Sequence, residues 1–559
     1  MDISRLRQKF LDYFSSLDYQ IHLPAPLIPN NDPTVLFTTA GMQQFKPYYT
    51  SPKDAPAPKL VNIQPVIRTS DIAEVGDDTH LTMFEMLGIF SFGETDSRTM
   101  KENAIPLMWR FINEELGVNK GRVYATIFQG DHLTPIDSES AEIWENLGIE
   151  VRQANREENF WGPTGDEGPC GPTTEIYIDG VEVGNLVFNE YFQARDGSFT
   201  RLEKCGLDFG SGLERLSATL QRQTSVWAIE PFSNWIKSID PNKEKESRVI
   251  VDHLRALIFL ISAGIVPANK GREYVLRRLI RKAVFVGSKI EPAIDWQKII
   301  SNIRHEYVIY DVWELEQIWT IFVKEKEQFE KNLARAEGYL QRWLQSHQTA
   351  AEKEITELAF YMYESFGFPK ELVIEYLADL GRSIDVDHFE KLFQTHQEIS
   401  RAGLEKQFKG GLADHEEPTI KHHTAHHLLL AALRQVLGET VVQKGSNVTS
   451  DRLRIDFSFD RKLTEGELKQ VEAIVNEKIQ ADLPVVVEEM TKDEALKSGA
   501  LAEFGQKYGD KVTVYSIGDF SKELCGGPHI ERTGQLGRFE ILKEEASSQG
   551  IRRIKAKLS

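Results

Sequence analysis

Two pairs of metal-binding residue types stand about a hundred positions apart near the C-terminal end of the sequence. His423 and His427 are four residues apart, and Cys525 and His529 repeat that spacing. If the first pair lies on a helix, both imidazoles share one face and can reach one ion. Three histidines and one cysteine would complete the tetrahedral shell that zinc prefers. The alternative is a polar helix end that binds no ion, and the glutamate of the zincin motif is absent.

A second set of residues has the chemistry of a nucleotide site. Arg68 ends an apolar run, Phe84 follows a polar loop, and Arg215 comes after the glycine-rich segment Gly206–Gly212. The planar fork of arginine suits phosphate, and an aromatic ring with a guanidinium can enclose a purine base. Glycines let the backbone approach a ligand closely. The simpler alternative places the arginines in surface ion pairs and the phenylalanines in the core.

A basic segment lies in the middle of the chain. Residues 271–282 contain five basic residues and one acidic residue. In a helix, four of the basic side chains would cover a broad face: Arg277, Arg278, Arg281 and Lys282. Such a face could bind the phosphates of a nucleic acid. The alternative is a solvated helix whose charges pair with acidic neighbours.

The hydrophobic patterns divide the chain into regions that would position these groups. Strand-like runs such as Val123–Phe128 alternate with Gly- and Pro-rich loops, which predicts a mixed α/β domain over residues 1–235. Long amphipathic stretches with short loops predict a helical domain over residues 236–405. A linker is expected at residues 406–418. Mixed patterns return over residues 419–559, which predicts a further α+β domain.

Within the last region the histidines fall on a predicted helix. The pattern predicts a helix over Thr424–Val436 and strands over Leu453–Phe459 and Val512–Ile517. We expect His422 and His426, which fall outside the metal-binding pair, to lie at the protein surface.

Composition limits the class of protein. The chain of 559 residues is 41% hydrophobic and 27% charged, with a net charge of −19 and three cysteines. No apolar run approaches the roughly 20 residues of a membrane-spanning helix, and the opening segment lacks the apolar core of a signal peptide. Few cysteines indicate a reducing compartment. We therefore expect a cytoplasmic protein without a membrane partner. The negative net charge of the whole chain does not exclude a nucleic-acid partner, because binding depends on local basic clusters.

Several motifs occur in a fixed order along the first half of the chain. They are Asn31–Phe45, Arg68, His80–Phe84 continuing into FEMLGIFSFG, Asn159–Trp161, Gly168–Pro172, Asn185–Phe188, Gly206–Arg215 and the helical stretch Asp252–Val284. In this order they resemble the class II aminoacyl-tRNA synthetases and, among these, the alanyl-tRNA synthetase family.

The C-terminal histidine and cysteine motifs carry a second resemblance. They are similar to the editing domain shared by alanyl- and threonyl-tRNA synthetases and by free-standing deacylases, together with Val442–Ser446, Arg454–Phe457, Phe504–Gly509 and Arg552–Ile554. The resemblance implies three kinds of domain: an antiparallel-sheet catalytic domain of class II type, a helical tRNA-recognition domain and an α+β zinc editing domain. It also implies ATP, alanine and tRNA(Ala) as substrates, with Mg²⁺ on the phosphates.

The resemblance assigns roles around ATP. Arg68 is expected to hold the α-phosphate, and Phe84 to stack on adenine. Arg215 is expected on the far side of the base or near the γ-phosphate, and Gly212 should admit ATP closely. His80 contacts the nucleotide or acts as scaffolding, because the family often has two consecutive histidines where this chain has His80 followed by leucine.

The resemblance also assigns the amino-acid pocket. Asp208 is expected to pair with the substrate ammonium, so Arg68, Asp208 and Arg215 form the catalytic set. Trp161, Asn185 and Gly210 should line the pocket, and Val187 should limit its size. For the tryptophan, packing in the core is the alternative.

The remaining roles concern tRNA. The resemblance implies that the basic helix contacts the tRNA acceptor stem through Arg277, Arg278 and Arg281. Asn269 and Glu371 match the Asn and Asp with which the family contacts a G·U pair, although glutamate is the longer side chain. We therefore expect weakened or altered dependence on that pair.

A pocket built for alanine gives a physical reason for an editing site. A pocket for a methyl group cannot exclude glycine and rejects serine poorly. Gln443 is expected in the editing pocket, where zinc would orient the mischarged ester or activate water.

Two departures from the family are visible in the chain's layout. A β-rich segment that usually separates the helical and editing domains is missing, and the sequence stops at Ser559, where the family usually continues. A monomer is therefore expected. The alternatives to a synthetase are a trans-editing deacylase with a degenerate synthetase half, or a zinc-stabilised RNA-binding protein.

Overall fold

The computed structural model describes residues 1–29, 35–70, 72, 74–163, 165–348, 350–395, 416–501, 511–548 and 550–559. The start of the Asn31–Phe45 motif, most of the 406–418 linker and the Phe504–Gly509 motif therefore lie outside the described residues. The chain divides into two compact units, Met1–Asp385 and Val386–Ser559. The predicted boundary at residue 235 falls inside the first unit and stays a prediction.

The first unit is built around one twisted sheet. Its strands are β1 (Gln20–Ile21), β2 (Lys59–Ile67), β3 (Met83–Glu94), β4 (Val123–Phe128), β5 (Glu150–Ala154), β6 (Phe160–Trp161), β7 (Gly168–Ile178), β8 (Val181–Gln193) and β9 (Phe199–Gly212). Their neighbour order is β1-β2-β3-β9-β8-β7-β4-β5, and β6 pairs with β7. Apart from the parallel pairs β1/β2 and β4/β5, the pairing is antiparallel. The expected antiparallel sheet is confirmed.

A tight turn sets the register at the centre of this sheet. Asp179 and Gly180 connect β7 to β8 with φ values of 51° and 83°. Two-residue turns of this kind need positive φ at both positions, which Asp-Gly adopts readily. The Asp-Gly turn therefore leads directly into β8, a strand that lines the cavity described below.

Helices pack against the sheet, and further helices follow it in an all-helical region. They are α1 (Ile3–Ser15), α2 (Lys46–Thr50), α3 (Ser97–Arg110), α4 (Ser138–Asn146), α5 (Arg156–Asn159), α6 (Leu213–Leu220), α7 (Phe232–Ile239), α8 (Glu244–Ser262), α9 (Gly271–Gly287), α10 (Trp296–Glu306), α11 (Leu315–Ser346), α12 (Glu352–Phe366) and α13 (Lys370–Asp379). Asp2, Asp96 and Asp295 cap the first turns of α1, α3 and α10 through backbone N–H groups. The stretch Asp252–Val284 is two helices, α8 and α9, separated by a turn with Gly264 at φ 83°.

The second unit combines two small sheets with helices. Residues 386–395 are helical (α14), followed by α15 (Glu417–Leu437), α16 (Glu465–Gln480) and α17 (Lys492–Lys497). The strands are β10 (Gln443–Val448), β11 (Leu453–Ser458), β12 (Val485–Thr491), β13 (Lys511–Ile517), β14 (Ser521–Leu524), β15 (Phe539–Ser548) and β16 (Ile551–Leu558). They form the sheets β10-β11-β16-β15 and β12-β13-β14. Leu429, Phe457 and Val471 belong to the core between helices and sheet.

Two sequence predictions compare closely with these elements. The strand predicted at Val123–Phe128 has those bounds. The helix predicted over Thr424–Val436 begins earlier, at Glu417, because Pro418 occupies its first turn, where a missing N–H is tolerated. No helix in the described ranges combines the length and apolar character that a membrane span requires.

A close backbone approach explains one glycine of the Gly168–Pro172 motif. A Cβ at Gly171 would lie 1.7 Å from the carbonyl oxygen of Phe188 on the neighbouring strand. Gly171→Ala should therefore force the two strands apart and destabilise the unit by roughly 1–3 kcal/mol, as overpacked cores do. Urea unfolding followed by tryptophan fluorescence measures this change.

Gly121→Ala is the matched control for that substitution. Its Cβ would meet only the Asn119 side chain, at 3.8 Å. We expect unfolding at the urea concentration of the wild type. Equal unfolding midpoints for the two variants would contradict the steric explanation.

Candidate active site and metal centre

The register of three neighbouring strands gathers the distant motifs on one face of the sheet. Met86 on β3 pairs with Gly212 on β9, and on β8 Asn185 pairs with Gly210 and Val187 with Asp208. Directly paired residues share a face, and residues two apart along a strand share it too. The same face therefore also carries Phe84, two residues before Met86.

This face forms the floor of a cavity of about 320 Å³. Every residue predicted for ATP or alanine lines it: Arg68, His80, Phe84, Trp161, Asn185, Val187, Asp208, Gly210, Gly212 and Arg215. The cavity also contains Met86 and Glu182, which the sequence analysis missed. Period-two spacing from Phe84 could have identified Met86, whereas Glu182 shows no sequence signal of its own.

The phosphate and adenine candidates lie next to each other in this cavity. The guanidinium carbon of Arg68 is 5.0 Å from the centroid of the Phe84 ring. The Arg68 Nε–H donates to the carbonyl oxygen of Thr39 over 3.4 Å. A flat arginine beside an aromatic face is suited to a nucleotide that offers both a phosphate and a planar base.

The second predicted arginine lies in the first turn of α6. Arg215 Nη1 is 3.2 Å from Glu182 Oε2, and the side chain is about half exposed. A Cβ at Gly212 would stay at least 3.7 Å from protein atoms. The protein itself therefore does not require glycine at this position, which agrees with space kept for a ligand.

His80 is held by the loop before β3. Its Nδ1 lies 2.5 Å from Asp77 Oδ2 and its Nε2 lies 3.0 Å from Glu74 Oε2. Asp77 also accepts the backbone N–H of His80. These contacts support the scaffolding alternative, although the imidazole also lines the cavity.

The amino-acid end of the cavity contains a buried carboxyl. Asp208 is 7% exposed, and burial raises the pKa of its side chain to about 8. Asn185 Oδ1 is buried and has no hydrogen-bond partner among the residues described. A carboxyl and an amide oxygen together suit an ammonium group, whose charge would favour the ionised carboxylate. Trp161 is partly buried and also packs on the cluster around Phe45, so packing accounts for part of its role.

The basic segment forms α9, where its charges meet acidic partners. Arg278 Nη2 is 3.1 Å from Glu371 Oε1, and Arg277 Nε is 3.3 Å from Glu325 Oε1. Arg277 also donates to the side-chain oxygen of Asn269. Arg281 is only 8% exposed and lies 2.6 Å from Glu325. The prediction that all four basic side chains form one broad face is therefore wrong for Arg281, because α11 covers it.

The four predicted metal ligands converge in the second unit. Their ligand atoms all lie within 4.8 Å of one another: His423, His427, Cys525 and His529. The helix α15 supplies the first pair, and the irregular segment after β14 supplies the second. The Cys525 Sγ is 3.4 Å from His423 Nε2.

Contacts outside the cluster turn each imidazole toward its centre. His423 Nδ1 donates to the carbonyl oxygen of Pro528 over 3.0 Å, and His427 Nδ1 is 2.7 Å from Glu523 Oε2. His529 Nδ1 is 3.0 Å from the Thr424 hydroxyl. Anchoring Nδ1 in this way leaves Nε2 as the ligand atom.

The inner atoms of the cluster fit a bound cation. The Nε2 atoms of His427 and His529 are buried without a hydrogen-bond partner in the described part of the chain. Burial raises the pKa of the Cys525 thiol, but the adjacent histidines hold it well below its usual range. One thiolate and three imidazoles match the donor set of a tetrahedral zinc site.

Two further histidines of α15 correct a prediction. His422 and His426 were expected at the surface, yet they are 4% and 3% exposed. His422 Nε2 accepts the N–H of Leu558 on β16, because that strand covers this side of the helix. His426 lines a cavity of about 110 Å³ together with His427, Cys525 and Gln443. The expected editing-pocket residue Gln443 thus lies beside the ligand cluster.

Comparison with known proteins finds two family matches along this chain. Residues 5–437 match the family of class II tRNA synthetases (A), and residues 512–555 match the second additional domain of threonyl and alanyl tRNA synthetases. The alanine–tRNA ligase of Treponema denticola is 42% identical over 598 residues, covering 100% of this chain and 99% of the relative. The enzyme of Borreliella afzelii is 40% identical with the same coverage.

A more distant relative and a solved structure complete the comparison. The alanine–tRNA ligase of Coxiella burnetii is 33% identical and covers 100% of this chain and 79% of the relative. A structure of apo S. aureus histidyl-tRNA synthetase covers 39% of this chain and 69% of its own, with a TM-score of 0.27 and 12% identity. That likeness is too low to support an argument. Full-length identity near 40% and the long family match show that this chain belongs to the alanine–tRNA ligase family of class II tRNA synthetases.

Proposed function

We propose that this protein activates alanine with ATP and transfers the alanyl group to the 3′ end of tRNA(Ala). Ten residues from separate chain segments line one cavity, and this convergence supports the proposal above all else. In the first step the alanine carboxylate attacks the α-phosphorus and pyrophosphate leaves. In the second, the terminal ribose hydroxyl of the tRNA attacks the alanyl carbonyl, and AMP leaves.

Positioning and electrostatics supply most of the rate in such a reaction. Arg68 stabilises the charge that develops on the α-phosphate, and Phe84 stacks on the adenine. Arg215 lies on the far side of the base or near the γ-phosphate. Mg²⁺ enters with ATP and neutralises its phosphates. No side chain of the cavity needs to form a covalent bond with the substrate.

Alanine is selected by charge and by size. Asp208 and Asn185 bind the ammonium group, and Val187 with Trp161 limits the side chain to a methyl group. This pocket excludes larger amino acids but admits glycine, and it rejects serine poorly because serine adds only a hydroxyl.

We propose that the second unit removes these errors by hydrolysing Ser- and Gly-tRNA(Ala). His423, His427, Cys525 and His529 would hold Zn²⁺, which supplies a Lewis acid beside the mischarged ester. Gln443 lines the adjoining cavity and is placed to contact the aminoacyl group. Glu523 keeps His427 in the orientation that directs its Nε2 inward.

Recognition of the tRNA would use the surface formed by α9 and α13. Arg277 and Arg278 remain partly exposed, and Asn269 precedes them. Glu371 takes the place of an aspartate and pairs with Arg278. The longer side chain and its ion pair favour a contact to the acceptor stem that depends less on the G·U pair. A cytoplasmic location and a monomeric state stay predictions.

The first test concerns alanine activation and its pH dependence. Below about pH 8 the buried Asp208 is neutral and must lose its proton before it can pair with an ammonium group. In alanine-dependent pyrophosphate exchange, kcat/KM for alanine should therefore rise from pH 6.5 to 8.5. Asp208→Asn should lower it about 100-fold, as expected for a lost charged hydrogen bond of roughly 3 kcal/mol, and should flatten the profile.

Asp196→Asn, which changes an exposed carboxylate between β8 and β9, is the control and should behave as the wild type. A wild type without exchange activity would overturn the proposed function and favour the deacylase or RNA-binding alternatives. An unchanged pH profile in Asp208→Asn would remove the assigned role of that carboxyl.

The second test concerns the metal centre. Cys525→Ala removes the thiolate, so the zinc content per chain should fall and Ser-tRNA(Ala) should accumulate during charging with serine. Alanine-dependent exchange should persist, because the substitution lies in the other unit. Cys205→Ala, at a buried thiol of the first unit, should retain the metal. Equal zinc content in wild type and Cys525→Ala would contradict the ligand assignment.

The third test concerns the acceptor stem. Transcripts of tRNA(Ala) with G·U changed to G·C should still be charged by the wild type. Glu371→Asp shortens the side chain and should increase the preference for G·U over G·C. Complete loss of charging with the G·C transcript would show that the wild type depends fully on the pair.

A further inference from the structure

Three charged side chains lie along one face of α8, spaced by four and three residues. They are Arg248, Asp252 and Arg255, and this spacing places them in a single row on a helix. The row faces the elements that carry the ATP candidates, and each side chain contacts a different one of them.

Arg248 holds the loop before β3. Its Nη1 donates to the carbonyl oxygens of Gly76 and Asp77 over 3.3 and 3.0 Å and to Asp78 Oδ1 over 3.0 Å. The carboxylate of Asp77 in turn binds His80. Displacing Arg248 would therefore release the loop that positions one wall of the cavity.

Asp252 holds the start of β3. It is fully buried, and its Oδ1 accepts the N–H of Thr82 over 2.8 Å. The carbonyl oxygen of Thr82 accepts the N–H of Arg68 over 2.9 Å. Thr82 thus links Asp252 of α8 directly to the backbone of Arg68, the candidate for phosphate binding.

Arg255 reaches the ATP site through two glutamates. Its Nη2 donates to Glu214 Oε1 over 2.5 Å, and Glu214 accepts the N–H of Glu85 with oxygens at 3.1 and 3.3 Å. Glu214 precedes Arg215, and Glu85 follows Phe84. Adjacent strand residues point to opposite faces, so Glu85 anchors the back of β3 while Phe84 faces the cavity.

Arg7 completes this anchor from the other side. It donates to both oxygens of Glu85 over 2.8 Å, and the Tyr310 hydroxyl donates to the same carboxylate. Burying such charges is costly, and well-packed apolar residues would often stabilise a fold equally well. Two members of the row, Asp252 and Arg255, are fully buried, and the row ends on three segments that carry ATP candidates, which indicates control of geometry.

We propose that Arg248, Asp252 and Arg255 are positioning residues for ATP. They fix the backbone beside Arg68, Phe84 and Arg215 without touching the nucleotide. The inference rests on the proposed function and extends it from the cavity to a helix of the adjoining helical region. Misplacement of these groups weakens ATP binding more than alanine binding, because their hydrogen bonds reach the loop before β3, Thr82 and Glu214, whereas Asp208 and Asn185 lie within β9 and β8.

Pyrophosphate exchange with separate KM values for ATP and alanine tests this proposal. Arg248→Lys and Asp252→Val should each raise the KM for ATP about tenfold, the effect of losing one or two hydrogen bonds to a charged group. The KM for alanine should change less than about twofold. Asp252→Asn keeps an oxygen that can accept from Thr82 and should restore the wild-type KM for ATP.

Arg304→Lys is the matched control. Arg304 and Arg248 have the same side-chain exposure, 15%, and within the described part of the chain Arg304 donates to the Trp313 carbonyl and pairs with Glu314, both in the helical region. Arg304→Lys should leave the KM for ATP and the KM for alanine unchanged. If Asp252→Val does not fold, Arg248→Lys decides the outcome.

Two results would overturn the positioning role while the wild type remains active. One is a parallel rise of both KM values, and the other is a lower melting temperature with an unchanged KM for ATP. Absence of exchange in the wild type would instead refute the proposed function. The failures of the two proposals are therefore distinguishable.

Discussion

The antiparallel register of β3, β9 and β8 is the constraint on which the first unit depends. Each strand alternates its side chains between two faces, so a shift by one residue would send Asp208 and Phe84 into the core. The present pairing opposes Met86 to Gly212 and Val187 to Asp208. More than a hundred residues separate Met86 from Val187, Asp208 and Gly212, yet all four line one cavity. Substrate selection and nucleotide binding both follow from that pairing.

The reverse face of the same strands explains how the floor is kept in place. Apolar residues such as Leu87 and Ile89 fill this side, but Glu85 stands among them with Arg7 as its partner. Such an ion pair adds little net stability over apolar packing, whereas it restricts geometry strongly. The charged row on α8 continues that restriction from the helical region. Rigidity at the cavity thus depends on side chains that never reach the substrate.

The second unit solves a similar problem with hydrogen bonds to imidazole. Four ligands on a helix and a loop can meet one ion only if every ring has a defined rotation. Pro528, Glu523 and Thr424 supply that orientation from behind. Spacing pointed to the four candidate ligands, because the four-residue intervals within each pair are short-range information. The orienting groups come from separate elements, and their spacing in the sequence does not predict that they contact the histidines.

The sequence by itself determined the family, the elements and the identities of most residues around both sites. Motif order and helical periodicity are local signals, and a single sequence is enough to detect them. Only the tertiary structure decided that His422 and His426 are buried, that Arg281 is covered by α11, and that Arg248, Asp252 and Arg255 face the ATP site. Burial and charge pairing depend on which surfaces meet, and that is set by packing between elements distant in sequence.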